Sequence, residues 1–287
     1  MKEPEFIAAL KALADDPAAR NLADDAAVLE FGSETLILTH DTLVQGVHVR
    51  ENEDLADIAW KLVAVNLSDL AAKGARPLGV LVSHMLGDGD ARFIEGLGEI
   101  LREYDVPLLG GDTVSAEGRR VWGCTAIGQA TSLPVPSRSG AKPGDGVFVT
   151  GTLGRAMIGF ETGGGGDPLG LAYRRPRPRL TDGMRLAPVA RAMMDISDGL
   201  LLDGFRLAEA SAATLHLDAA AIPVTEPSRL DECLRWGDDY ELLFTLPAET
   251  KCPVPAMRIG RVTERQAAPL YLDEVPLFEP GMLGYVH

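Results

Sequence analysis

Six aspartates, Asp25, Asp41, Asp69, Asp112, Asp195 and Asp198, each sit where an apolar stretch meets a turn or interrupts a face that would otherwise be buried. Drawn together in a chain of formal net charge −15, such carboxylates repel one another unless a cation holds them. All-oxygen ligands favour a hard divalent ion, Mg²⁺ over zinc or copper. The expectation is a pocket built from distant segments, in which several Mg²⁺ ions hold the phosphates of ATP.

The helix predicted over Asp54–Lys73 gives this idea its sharpest form. Leu55, Ile58, Ala59, Leu62, Val63 and Leu70 recur at helical spacing, and Gly74 is a suitable C-terminal stop. Asn66 and Asp69 fall on the same apolar stripe. Burying an unpaired amide and carboxylate costs on the order of several kcal/mol. Either a helix-to-loop hydrogen-bond network or metal ligation would satisfy them, and the other aspartates favour ligation. Asp41 closes the apparent strand LILTHD, and Asp24–Asp25 lead the strand before it; taken singly, a strand-terminal Asp such as Asp41 is more often a turn-former than a ligand, and the Asp24–Asp25 pair is ambiguous. Gly110-Gly111-Asp112 follows a strand predicted as buried at Val106–Leu109, where two glycines let backbone approach a ligand closely. Asp195-Ile196-Ser197-Asp198 brings two acids and a hydroxyl to a predicted helix start, more than a cap by Ser197 or Asp198 needs. Gly237-Asp238-Asp239-Tyr240-Glu241 is equally a solvated turn or part of a site. His48 alone is more often structural.

Strand and helix signals alternate along the chain, which places it in the α/β (α+β) class. Prolines, serines and glycines cluster at Leu133–Pro143, dividing an N-terminal domain, 1–134, from a C-terminal α/β domain, 135–287. Gly163–Gly166 suggests a flexible loop tip, and Arg174, Arg175, Arg177 and Arg179 the solvated start of a helix. The acidic balance argues against nucleic acid as a partner. No run approaches the roughly 20 apolar residues of a membrane span, and the first residues lack the pattern of a signal peptide. Cys124, Cys233 and Cys252 form no close pair, which fits reduced thiols in a cytoplasmic protein. Neither a GxxxxGK[ST] loop nor a protein-kinase signature occurs, so phosphate chemistry must rest on carboxylate-held cations.

The combination of motifs is specific. Ala23–Val28, Thr39–His48, Lys61–Gly74 (KLVAVNLSDLAAKG), Gly110–Thr113, Arg138–Ala141, Asp195–Leu200 and Gly237–Leu242 resemble, in order and over nearly the whole chain, the thiamine-monophosphate kinase family of the aminoimidazole-ribonucleotide-synthetase-like superfamily. The resemblance implies a two-domain synthetase-like fold whose N-terminal domains pair in a homodimer, with ATP near the dimer-formed cleft. It implies direct in-line phosphorylation of thiamine monophosphate to thiamine diphosphate. The acceptor is a phosphate oxygen that is already anionic, so no strong general base is required. By the same resemblance Asp25, Thr39, His40, Asp41, Asp69, Asp112, Asp195 and Asp198 match magnesium-ligating positions, with Asp41, Asp69 and Asp112 nearest the chemistry. Gly111, Asp112, Arg138, Ser197 and Tyr104 match nucleotide-contacting positions, and His48, Asp238 and Met282 substrate-contacting ones.

The chain departs from the family pattern at four places. Ala23 replaces a glycine, and His40 replaces a hydroxyl residue, leaving only its backbone carbonyl as a ligand. Asp238 stands for a longer glutamate, and Met282 stands where an aromatic residue stacks on the substrate, with Tyr285 three residues on. Rival readings are another ATP-using enzyme of the superfamily and a non-catalytic cation- or nucleotide-binding protein. The selenide-using relative needs an early cysteine, and none precedes Cys124; the hydrogenase-maturation relative ends in cysteine, and this chain ends Tyr285-Val286-His287.

Overall fold

A computed structural model describes residues 3–11, 13–14, 16–163 and 167–286. Gly164–Gly166, most of the predicted loop tip, lie outside the described residues. The first half contains helices α1 (Glu3–Leu10), α2 (Leu55–Ala72) and α3 (Asp90–Glu103) and strands β1 (Ala27–Phe31), β2 (Glu34–Val44), β3 (Ala75–Met85), β4 (Leu108–Val114) and β5 (Val121–Ala130). The strands form one sheet in the order β1-β2-β5-β3-β4, with β4 parallel to β3 and the other pairs antiparallel. The second half contributes strands β6 (Gly146–Val149), β7 (Ala192–Asp195), β8 (Ala213–Leu217), β9 (Leu242–Leu246), β10 (Met257–Glu264), β11 (Leu270–Leu272) and β12 (Val275–Leu277). They order β12-β11-β8-β10-β6-β9-β7, with α4 (Arg155–Glu161), α5 (Pro168–Arg174), α6 (Leu180–Leu186), α7 (Leu200–Ala210) and α8 (Leu230–Arg235) among them. The alternation of signals thus does yield a mixed α/β fold.

Helix α2 joins the two halves. Asp54 caps it by accepting from Ala56 N at 2.9 Å, and Gly74 leaves it in the left-handed region at φ +59°. The sequence suggested one buried stripe, but α2 is buried on nearly every face. The first sheet and α3 cover one side; α6 and β7 cover the other. Leu62, Leu67 and Leu70 therefore share one apolar cluster with Trp122 of β5, Met193 of β7 and Phe244 of β9. A second cluster fills the C-terminal half around Leu200, Leu215, Leu243 and Ile259.

Four local expectations need correction. Strand β4 is exposed along its whole length, because it forms a sheet edge that none of the described residues covers. Asp41 lies inside β2 rather than at its end, since β5 keeps pairing with β2 as far as Val44. The arginine run is not a solvated helix start. Arg175 pairs with Asp57 and, at 2.6 Å, with Glu99; Arg174 lies 3.4 Å from Asp57; Arg179 forks onto Glu241 at 2.5 and 2.7 Å. Asp57 and Glu241 are buried, so these arginines satisfy carboxylates that could not stand unpaired. Finally, neither Ser197 nor Asp198 caps α7. The buried Asp203 accepts from both of their backbone N–H groups, at 3.1 and 3.0 Å.

The contact of α2 with α3 depends on Gly96: a Cβ there would lie 2.2 Å from the Ala56 carbonyl oxygen and 2.4 Å from its Cα. Gly96→Ala is predicted to force the helices apart and cost about 1–3 kcal/mol, read as a lower urea midpoint. An unchanged midpoint contradicts this packing.

Candidate active site

Alternation along β2 turns Thr39 and Asp41 toward α2 and His40 away from it. Thr39 Oγ1 donates to the Asp69 carboxylate. One turn earlier, Asn66 Oδ1 accepts from Asp41 N at 3.2 Å while its Nδ2 donates to Leu62 O at 2.9 Å. Asn66 is therefore a clip between helix and strand, and of the two polar residues on the stripe only Asp69 joins a carboxylate group. Asp25 arrives just before β1, and Asp195 arrives at the end of β7, where Ser68 Oγ donates to it at 2.6 Å. One oxygen from each of Asp25, Asp69 and Asp195 lies within 4.8 Å of the others.

Two of these carboxylates, Asp69 and Asp195, border a cavity of about 460 Å³. Asp41, Asp69, Asp195, Ser197 and Asp198 line one part of it; His48, Lys61, Asp238 and Tyr240 line another; Phe160, Tyr173, Trp236 and Tyr285 supply an aromatic wall. His48 Nδ1 accepts from Val44 N at 3.0 Å, which fixes its ring. Asp238 is held by Lys61 Nζ at 2.5 Å and by the Tyr240 hydroxyl at 2.9 Å.

The site is charged against its own burial. Removal from water pushes Asp195 up to about 8 and Asp41 up to about 6, and raises Asp69 well above the usual carboxylate range. Their carboxylate neighbours push the same way. Burial opposes the Asp24 charge too, but Lys73 and Arg20 outweigh it and hold that carboxyl well below its ordinary value. Lys73 Nζ is 2.5 Å from both Asp24 Oδ1 and Asp25 Oδ2, and Arg138 Nε donates to Asp25 Oδ1 at 2.6 Å. Asp25 Oδ2 is buried and charge-paired with Lys73, yet accepts no hydrogen bond of normal geometry. An under-satisfied oxygen among three carboxylates is a donor set that suits Mg²⁺.

Several residues singled out from the sequence lie elsewhere. Asp112 is in register with Ser83, Ser83 with Gly123, and Gly123 with Thr42. Gly111 and Asp112 are thus three strands, about 14 Å, from the pocket side of β2, on the exposed edge. The His40 ring lies on the opposite face of the sheet, with Nδ1 2.8 Å from Thr125 Oγ1. Tyr104 packs edge-on against Trp60 at 6.2 Å, lines a different cavity with Arg177 and Arg179, and has its phenol pushed up to about 12 by burial. Met282 is 70% exposed and does not line the pocket, whereas Tyr285 does. Sequence reasoning missed Lys61, Lys73, Asp203 and Trp236. Lys73, the C-terminal cap of α2, follows Asp69 by four residues, a spacing that could have flagged it.

The raised carboxyls fix a pH dependence. Between about pH 4 and pH 8 the folded, metal-free protein binds more protons than the unfolded chain at Asp41, Asp69 and Asp195, so stability falls as pH rises through that window. Asp24 acts in the opposite sense, but only under more acidic conditions. The thermal midpoint of chelator-treated protein should drop by several degrees from pH 5 to pH 8, and Mg²⁺ should raise it more at pH 8 than at pH 5. A metal-free midpoint that stays flat or climbs would refute the electrostatic picture.

Comparison with known proteins agrees with this architecture. Residues 23–130 match the family described as AIR synthase related protein, N-terminal domain. The chain is 34% identical over 306 residues to the thiamine-monophosphate kinase of Caulobacter vibrioides, covering 95% of this chain and 86% of that one. It is 37% identical over 251 residues to the enzyme of the same name from Escherichia coli K12, covering 79% and 76%. The solved structure of AaThiL complexed with AMPPCP and TMP superposes with a TM-score of 0.89 at 28% identity, covering 100% of this chain and 97% of that one. By this kinship over most of its length, the chain belongs to the thiamine-monophosphate kinase family.

Proposed function

We propose that the protein transfers the γ-phosphoryl group of ATP to the phosphate of thiamine monophosphate, giving thiamine diphosphate and ADP. The observation that carries this reading is the cavity itself. Carboxylates suited to magnesium meet, in one space, an aromatic wall and a carboxylate, Asp238, suited to an organic cation. The AaThiL complex with AMPPCP and TMP supports the same pair of ligands.

Asp25, Asp41, Asp69, Asp195 and Asp198 would hold Mg²⁺, which when bound neutralises phosphate charge and steadies the transferring group. Two anionic substrates can then lie close together. The acceptor phosphate oxygen carries its own negative charge, so the chain needs no side chain to deprotonate it. Positioning is the remaining task. Arg138, which pairs with Asp25, would steady nucleotide phosphate, and Ser197, which lines the cavity, would contact the nucleotide as well. Lys61, buried beneath the pocket, fixes the Asp238 carboxylate through an ion pair.

Gly111 and Asp112 enter this reading through a homodimer. Leu108, Leu109 and Val114 of edge strand β4 are each at least half exposed, which is costly for a free sheet edge and apt for pairing with a second copy. The two nucleotide-contacting candidates would then lie at the dimer-formed cleft. The division at residue 134 is part of the same reading. It is supported by two sheets that share no strand, one ending at Ala130 and the other starting at Gly146. Among the described residues no helix is long and apolar enough to cross a membrane.

Offered ATP, Mg²⁺, thiamine monophosphate and unphosphorylated thiamine together, the protein should make thiamine diphosphate from the monophosphate alone, as identified by mass; product formed from free thiamine, or none at all, defeats the assignment. Asp69→Asn should lower turnover by at least about 10²-fold while raising the metal-free thermal midpoint, because it removes a repelling charge. Loss of both activity and stability would point instead to a purely structural role. Sedimentation should give about twice the 30.6 kDa chain mass, and Leu109→Glu should yield an inactive monomer; a wild-type monomer with full activity excludes the dimer reading.

A further inference from the structure

A second cavity, of about 490 Å³, adjoins the one described above, and Asp238 lines both. Arg155, Arg175, Arg177 and Arg179 line it, against the acidic balance of a chain of formal net charge −15. Three of the four come from one strap between α5 and α6. Pro176 and Pro178, both buried, keep that strap out of helix, and Trp60 Nε1 ties it to α2 by donating to Pro176 O at 3.0 Å. Arg155 arrives separately, as the first residue of α4.

Most of the charge around this cavity is already balanced. Arg179 forks onto Glu241, which also accepts from Thr150 Oγ1 at 2.6 Å, and Arg175 pairs with Asp57 and Glu99. Lys61 and the Tyr240 hydroxyl hold Asp238, and both Asp239 oxygens accept from Gly154 N, at 3.0 and 3.1 Å. Burial pushes the Asp239 carboxyl well above the usual carboxylate range, so it adds little negative charge. Arg155 and Arg177 are left over: among the described residues neither forms an ion pair. Beside them Pro168, Leu171 and Ala172 supply an apolar stretch of wall.

We infer that this cavity is a second anion site, which binds a small phosphate monoester with its dianionic head on Arg155 and Arg177 and its organic body against Pro168, Leu171 and Ala172. Guanidinium groups suit phosphate oxygens in charge and in geometry, and the volume is that of a small-ligand pocket. Metal plays no part here. The cavity supplies its own positive charge, whereas the carboxylate cluster next door would accept phosphate only behind a cation.

Calorimetric titration of the full chain, treated with chelator and held at about pH 8, where phosphate monoesters are dianions, tests this site. Phenyl phosphate should bind once per chain, and the double variant Arg155→Gln/Arg177→Gln should weaken that binding at least about tenfold. With ATP and Mg²⁺ restored, the same variant should turn over thiamine monophosphate within about twofold of wild type. Inorganic phosphate should bind about fivefold more weakly than phenyl phosphate, because it leaves the apolar wall uncovered; equal affinities would overturn the organic ester in favour of free phosphate. Absent binding in the wild type, or undiminished binding in the double variant, overturns the site and leaves the kinase reading intact. A wild type that binds phenyl phosphate through these arginines yet forms no thiamine diphosphate overturns the kinase reading alone. Should the double variant fail to fold, Arg177→Gln, at an exposed position, decides the matter: binding should weaken about threefold, and unchanged affinity overturns the site.

Discussion

Oxygens of three carboxylates within 4.8 Å of one another, removed from water, set the terms for everything around them. Left alone, three buried carboxylates so close together would repel one another and resist the fold that gathers them. Two remedies are built into the chain. On one flank Lys73 and Arg138 pair with Asp25, and Lys73 and Arg20 with Asp24, so that this side is neutralised within the chain. On the other flank Asp69 and Asp195 receive single hydroxyl hydrogen bonds from Thr39 and Ser68, too little to offset burial. That imbalance is what the proposed divalent cation, arriving with nucleotide phosphates, would relieve.

Helix α2 makes the arrangement possible. Packed between both halves of the molecule, it can carry polar groups to places no surface helix could reach. Asn66 clips β2, Ser68 and Asp69 serve the carboxylates, Lys61 steadies Asp238, and Lys73 balances Asp24 and Asp25. Each polar group on this buried element has a partner from a different segment. The helix is thus both the centre of an apolar core and the backbone of the site.

Some of this was legible in the sequence. Apolar periodicity placed α2, and a polar pair on its apolar stripe marked that helix as special. Asking what an acidic chain would do with carboxylates at the ends of buried elements pointed to six aspartates; Asp25, Asp41, Asp69, Asp195 and Asp198 do lie at or beside one cavity, and Asp112 lies apart on β4. What stayed hidden depended on partners remote in sequence. Lys61 meets Asp238 177 positions away, and the arginines near residue 175 answer Asp57 from the far side of α2. No local pattern announces such pairs. Asp41 fell inside β2 because the extent of a strand is decided by its neighbour β5, and Trp236 gave no periodic signal because a single turn at Gly237 aims it.

The central claim is that divalent metal fills the carboxylate cluster. Anomalous scattering from crystals grown with Mn²⁺ and a non-hydrolysable ATP analogue tests it most directly. The account predicts manganese peaks bonded to Asp25, Asp69 and Asp195 oxygens, with Lys73 or Arg138 drawn back from Asp25. Nucleotide bound with no metal at these three residues, or manganese found only on exposed acids elsewhere, would contradict it.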